Sequence, residues 1–166
     1  MSLDGAGDSQ PTWPGDGGAR RLFGEVRRAC AAVEGLPARA EAGLRVALET
    51  LAADPDLARR LTVDPHLGDD DGALEAQRAW IERFGVLLSE AAAGDPRTTV
   101  AEPRFLAGFL VGGVRFQIGR LVLSGEAAGL PRLLPGLLEG LLAYYFEPAD
   151  PIIRERGRTC DHDPRS

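Results

Sequence analysis

The feature that most constrains the fold of this chain is its most apolar stretch, residues 105–127, which reads FLAGFLVGGVRFQIGRLVLSGEA. At 100° per residue, a helix here has a narrow apolar sector and a broad second one, and only the edge around Arg104 and Arg115 is polar. A helix on the outside of a monomer would expose one of these sectors, and exposed apolar patches usually mark an interface. The narrow sector contains Phe105, Phe109, Gly112, Phe116 and Leu123, and the broad one Leu106, Leu110, Val114, Ile118 and Leu121.

The last predicted helix, about 131–146, repeats this pattern, because Glu139 is nearly its only interior charge. An antiparallel pair of these helices buries both apolar sides if it packs on its own domain and on the identical pair of a second copy, as a two-fold four-helix bundle. Gly112 and Gly113 would then allow close approach of the helices. The alternative is that the pair forms the central hairpin of a larger monomeric bundle. The bundle between copies predicts a homodimer interface of Phe105, Phe109, Gly112, Phe116, Leu134, Leu137, Leu141 and Tyr145.

The remainder of the chain also shows the 3.6-residue apolar period of helices, and no strict alternation predicts a strand. We therefore expect an all-α protein with one helical domain over residues 19–156. Residues 1–18 and 157–166 are predicted to be a disordered leader and tail, because their Gly-, Asp- and Pro-rich composition buries little apolar surface. The other predicted helices span about 19–33, 38–53, 55–62, 71–93 and 105–124, with a further short helix after Asp150-Pro151.

The charge of the chain argues against a nucleic-acid surface. The net charge is -6, and all 19 basic residues are arginine. Phosphate binding needs a concentrated basic patch, whereas the arginine pairs of this chain are scattered along it. We expect no direct contact with nucleic acid.

The compartment is predicted from the cysteines and the apolar stretch. Cys30 and Cys160 show no sign of a disulfide pair, and no signal peptide begins the sequence, which favours the cytoplasm. Residues 105–124 are long enough to span a bilayer, but Arg115, Gln117 and Arg120 would be costly near its centre. We therefore expect no membrane contact.

Motifs for catalysis or metal binding are not recognisable in this sequence. The chain has two histidines and shows no nucleophile elbow, phosphate loop or paired-His motif, so we expect no enzyme activity. The tail segment CDHD (160–163) lacks the paired ligands of a zinc site, and GDDDG (68–72) lacks the calcium-loop pattern. His66 is interpreted as a loop histidine. No metal and no cofactor are predicted.

Three blocks of the sequence resemble the regulatory domain of TetR-family repressors. ALETLAADPDLARRLTVDPHL (47–67) looks like the segment that links two of its helices. The amphipathic helix that follows and the stretch FLVGGVRFQIGRLVLSGEAAGLPRLLPGLLEGLLAYYFEP (109–148) continue in the same order, so that the resemblance spans residues 22–148. It implies a helical bundle that dimerises and encloses a pocket for a small effector.

One part of the family pattern is not found. TetR-family proteins begin with a helix-turn-helix domain that reads DNA, and nothing here matches it. We therefore expect an effector-sensing and dimerisation domain without the reader, for a small apolar or amphipathic effector. The alternative is an interaction protein that pairs with a full-length regulator and has no ligand of its own. The predicted pocket residues, for which plain core packing is the alternative, are Cys30, Leu48, Leu51, Trp80, Phe84 and Leu87.

Overall fold

The computed structural model describes residues 17–64 and 71–146. Within these ranges the protein is all-helical, with no strand. The described residues include six α-helices, and a 3-10 helix of residues Ala127–Leu133 lies between the last two. The α-helices are α1 (Gly17–Ala31), α2 (Leu36–Ala53), α3 (Pro55–Thr62), α4 (Asp71–Ala93), α5 (Pro103–Leu123) and α6 (Leu134–Ala143).

Prolines and one aspartate fix the boundary between α2 and α3. The Asp54 carboxylate accepts a hydrogen bond from the Leu57 N–H at 2.9 Å, which caps α3. Pro55 occupies the first turn, where a backbone N–H has no helical partner and none is lost. The predicted bounds of α3 and α4 are those observed, and those of α1, α2 and α5 differ by one or two residues.

The final helix is shorter than predicted because two prolines divide it. Pro131 lies inside the 3-10 helix, and Pro135 lies in the first turn of α6. A proline lacks the N–H needed in a helix interior, so the chain forms a 3-10 segment before the α-helix begins.

Helix α2 is the centre of the packing. It contacts α1, α3, α4, α6 and the 3-10 helix, while α5 packs against α3 and α4. Two buried clusters form the core. One joins α1, α2, α3 and parts of α4 and α5 around Leu22, Leu51 and Leu57; the other joins the ends of α2, α4 and α6 around Leu36 and Tyr145.

Arg115 corrects the sequence interpretation of α5. It was predicted to lie on the polar edge, but its side chain is buried. Its Nε donates to the Leu61 carbonyl at 3.2 Å and its Nη2 to the Thr62 carbonyl at 3.0 Å. These carbonyls lie at the C-terminal end of α3, where helical partners are missing, so Arg115 satisfies them and joins α3 to α5.

Helix α5 also has the length and mean hydropathy, 1.4, of a membrane span, with a third of that window buried within the protein. Several sequence predictions concern residues outside the described ranges. These are the leader up to Asp16, His66, Gly68 to Asp70 of the acidic segment, the helix after Asp150-Pro151, and the tail with its CDHD segment.

Candidate functional site

A small apolar cavity lies among α2, α4 and α5, where the two core clusters meet. Its volume is about 90 Å³. An engineered cavity of about 150 Å³ with apolar walls binds benzene, so this space suits a slender apolar group or a part of a larger ligand. Helices α1 and α6 each contribute to its ends, through Cys30 and Leu141.

Small residues on α2 create the space. Ala40, Gly43 and Ala47 follow a spacing of three and four residues and line the cavity together. Gly43 also lets α1 approach, since a Cβ at this position would lie 2.9 Å from the Cys30 Sγ. A larger side chain at any of these positions would therefore fill the cavity or push the helices apart.

Aromatic side chains of α4 form the opposite wall. The ring centroids of Trp80 and Phe84 are 4.4 Å apart with the planes tilted by 41°, and Phe84 meets Phe23 edge-on at 5.1 Å. Trp80 is buried, and its Nε1 has no hydrogen-bond partner among the described residues. The wall thus resists deformation through ring packing and presents chiefly carbon to the cavity.

The thiol of Cys30 is a neutral part of this wall. Its Sγ donates to the Arg39 carbonyl at 3.3 Å. Burial raises the pKa of the thiol, and the positive charge of Arg39 only partly opposes that effect. A neutral, buried thiol is a poor nucleophile, so Cys30 contributes packing and not reactivity.

Five of the six predicted pocket residues line the cavity, and Leu48 does not. Leu48 is fully buried in the same cluster as Leu22 and Leu57, so its role is core packing. The sequence interpretation missed the contribution of α5 and the small residues of α2; the Ala-x-x-Gly-x-x-x-Ala spacing of residues 40–47 is the signal that could have found the latter. The residues placed as predicted are Cys30, Leu51, Trp80, Phe84 and Leu87.

The outward side of α5 forms a second apolar feature, which we name the aromatic face: Phe105, Phe109, Phe116 and Leu123. The three phenylalanines are 76%, 63% and 67% exposed in this order, and Leu123 is 64% exposed. Tyr144, at the end of α6, is similarly exposed. Nothing within the described chain covers this face.

Two residues of the predicted interface lie elsewhere. Tyr145 is fully buried, and Leu141 is buried and lines the cavity, so neither side chain is available to a partner. The seam predicted on α6 is therefore wrong at these positions, because α6 turns this side towards its own core. Leu134 and Leu137 are half-buried against the core, and Tyr144 takes the exposed position next to Tyr145.

Four glycines near the aromatic face have open space around them. A Cβ built at Gly112, Gly113, Gly136 or Gly140 would meet no atom within 4 Å outside its own helix turn. A groove between α5 and α6 is lined by Gly113, Gly136 and Gly140, together with Phe109 and Tyr144. Packing among the described residues thus gives no reason for glycine at these positions.

A polar cleft lies beside the cavity, around Asp95. Oδ2 of this carboxylate accepts from the Leu36 N–H at 3.0 Å and from Arg97 Nη2 at 2.7 Å, while Oδ1 accepts from Arg97 Nε at 2.9 Å. The Arg97 guanidinium, and then the Leu36 N–H, hold the pKa of Asp95 well below its usual range. Asp95 therefore stays ionised and caps α2, for which Gly35 offers no side chain.

Within residues 17–64 and 71–146, no group of three or more His, Cys, Asp or Glu side chains is placed to hold a metal ion. Comparison of the chain with models of protein families, with curated proteins and with solved structures found no significant match.

Proposed function

We propose that this chain is the effector-sensing and dimerisation domain of a TetR-like transcriptional regulator. One observation carries the proposal: a single helix, α5, contributes both to the apolar cavity and to the aromatic face. Val111, Val114 and Ile118 line the cavity from one side, and Phe105, Phe109 and Phe116 stand exposed on the other.

The exposed area supplies most of what each partner buries in a standard dimer interface. Aromatic side chains present about 150–250 Å² each, so the aromatic face and Tyr144 together offer roughly 600 Å². A standard interface buries about 800 Å² on each partner. A second copy placed across the two-fold axis would cover most of this area with the same side chains.

The open glycines support the same arrangement. Glycine inside a helix costs about 1 kcal/mol relative to alanine. No described residue packs closely enough on Gly112 or Gly113 to require glycine, so the close approach of a partner helix is what would offset that cost. Bulky phenylalanines beside bare backbone form ridges and grooves that fit an identical surface.

Sensing follows from the shared helix. A ligand larger than about 90 Å³ either extends beyond the cavity or displaces the helices that line it, α5 among them. A shift of α5 also moves the aromatic face and changes how two copies meet. Ligand and partner then influence each other by the same coupling free energy, which is what a regulatory domain needs.

The test is the mass in solution by light scattering, for the wild-type chain and for Phe116→Arg. We expect twice the mass of one chain for the wild type. We also expect at least a thirty-fold rise in the dimer dissociation constant for Phe116→Arg, because loss of a central interface aromatic costs about 2 kcal/mol or more. Leu74→Arg is the matched control, since Leu74 is a partly exposed apolar residue of α4 and should leave the mass unchanged.

A wild-type chain that stays monomeric up to millimolar concentration would contradict the proposal. A mass that Leu74→Arg and Phe116→Arg lower equally would also contradict the assignment of the aromatic face. The alternative hypothesis is that this chain pairs with a full-length regulator through the same face. It predicts mixed dimers that Phe116→Arg abolishes.

A further inference from the structure

The apolar cavity and the polar cleft are adjacent and have two lining residues in common. The cleft has a volume of about 370 Å³ and lies where α2 begins and α4 ends. Arg39 and Ala91 line both spaces. A molecule in the cavity would therefore meet polar groups at its end beside Arg39, and apolar side chains elsewhere.

At this boundary, Arg39 has N–H donors that form no hydrogen bond within the described parts of the chain. Its Nε donates to the Val33 carbonyl at 3.1 Å, which fixes the guanidinium near the start of α2. Its two terminal nitrogens make no hydrogen bond or ion pair to residues in the described parts of the chain. A guanidinium held at Nε and open at its outer edge matches the two oxygens of a carboxylate.

The other charges of the cleft set the charge of the ligand. Arg97 is engaged by Asp95 through two hydrogen bonds, so this pair is neutral as a unit. Glu34 adds an exposed carboxylate to the rim. One negative charge can pair with Arg39, whereas the second charge of a phosphate would have no partner in the cleft and would be repelled by Glu34.

We propose that the cavity and the cleft form one site for a monocarboxylate with a short apolar tail. The tail lies in the cavity against Trp80 and Phe84, and the carboxylate pairs with Arg39. This assignment rests on the proposed function, because it names the chemical class of effector for the same cavity. The small volume favours an unbranched tail over a bulky ring system.

The test compares three probes with the same tail: octanoate, 1-octanol and octyl phosphate. Binding is followed by the fluorescence of Trp80 in a Trp13→Phe background, where it is the single tryptophan. We expect octanoate to bind at least ten-fold more tightly than 1-octanol and more tightly than octyl phosphate. The wild-type comparison already tests the headgroup and needs no variant in the site.

Substitution of Arg39 tests its role directly. Arg39→Gln should weaken octanoate at least ten-fold and change 1-octanol by less than two-fold, while Arg39→Lys should keep part of the preference for octanoate. Arg45→Gln is the control, since Arg45 lies on the exposed side of α2 beside Glu41 and should change neither probe. Circular dichroism shows whether each variant folds.

The possible failures are distinguishable. Equal affinities for octanoate and 1-octanol, unchanged in Arg39→Gln, would overturn the carboxylate assignment and leave an apolar effector cavity intact. Tighter binding of octyl phosphate than octanoate would overturn the preference for one charge. Absence of binding for all three probes, or binding that Ala47→Phe does not reduce, would overturn the assignment and would also count against effector sensing in this cavity.

Discussion

Both sides of α5 are apolar, yet one side is buried within the protein and the other is exposed. The inward side is covered by α3, α4 and the 3-10 helix and contains a buried arginine, Arg115. The outward side carries the exposed Arg120 near one end, is otherwise apolar and is uncovered by the described residues, with Phe116 67% exposed. Apolar content therefore does not tell which side of a helix a chain buries.

The glycines of α5 distinguish the two sides better. On the inward side, a Cβ at Gly119 would lie 3.2 Å from the Thr62 carbonyl oxygen, so the close approach of α3 favours glycine. On the outward side, Gly113 has open space.

Arg115→Met should lower the free energy of unfolding by about 2–3 kcal/mol. The substitution leaves the Leu61 and Thr62 carbonyls without their charged donor, and hydrogen bonds to charged groups contribute about 1.5–3 kcal/mol. Arg120→Met, on the exposed side of the same helix, should change it by less than about 0.5 kcal/mol. Urea unfolding of both variants measures the difference. Equal decreases in the free energy of unfolding would show that the hydrogen bonds from Arg115 to α3 do not stabilise the fold.

Gly119→Ala and Gly113→Ala should act in opposite directions on the monomer. The first should destabilise it by roughly 1 kcal/mol, since Thr62 or the whole of α3 must shift. The second should stabilise the monomer by up to about 1 kcal/mol, because alanine favours the helix. Thermal unfolding in the Phe116→Arg background isolates the monomer. In the wild-type background Gly113→Ala should weaken dimerisation, and a dimer that tolerates it would exclude Gly113 from the interface.

The comparison of Tyr145 with Tyr144 gives the smallest effect at neutral pH and a larger one only in alkaline solution. Burial raises the pKa of Tyr145 to about 12, whereas an unfolded tyrosine ionises near pH 10. The unfolded state thus releases its proton first, and stability should fall as pH rises from about 10 towards 12. The Tyr145→Phe variant should not show this decrease in stability at alkaline pH, whereas the Tyr144→Phe variant should still show it.

The comparison of these two tyrosines also requires a measurement at neutral pH. The Tyr145 hydroxyl has no hydrogen-bond partner among the described residues, so Tyr145→Phe should be neutral or stabilising by less than about 1 kcal/mol. Chemical denaturation at pH 7 and pH 11 for both variants gives the four values needed. A strong destabilisation by Tyr145→Phe at pH 7 would mean that the hydroxyl has a partner.

Local signals made most helix positions predictable. The Asp54-Pro55 pair predicted the start of α3, and the apolar period predicted α4 to the residue. The two-sided apolar character of α5 was also read correctly, because it depends only on the 3.6-residue period. The end of the chain was less predictable, since Pro131 and Pro135 allow either one irregular helix or two short ones.

The errors concern side chains whose position depends on distant partners. Arg115 looked like a surface residue because nothing near it in the sequence shows that the end of α3 needs a donor 53 residues away. Leu141 and Tyr145 looked like an outer seam because α6 is apolar all round, and only packing decides which side faces inward. For the pocket, periodicity found the aromatic wall of α4, whereas Leu48 was indistinguishable from its neighbour Leu51 on the same stripe.

The hydrogen bond from the Leu36 N–H to Asp95 makes the two halves of the chain depend on each other during folding. The two residues are separated by 59 positions, so the start of α2 is complete only after the end of α4 has been synthesised and placed. A fragment that ends after α3 would keep the stripes of α1 and α2 but would fray at the first turn of α2. The first turn of the central helix therefore becomes stable only once the end of α4 is in place, in the same step that forms the cleft beside Arg39.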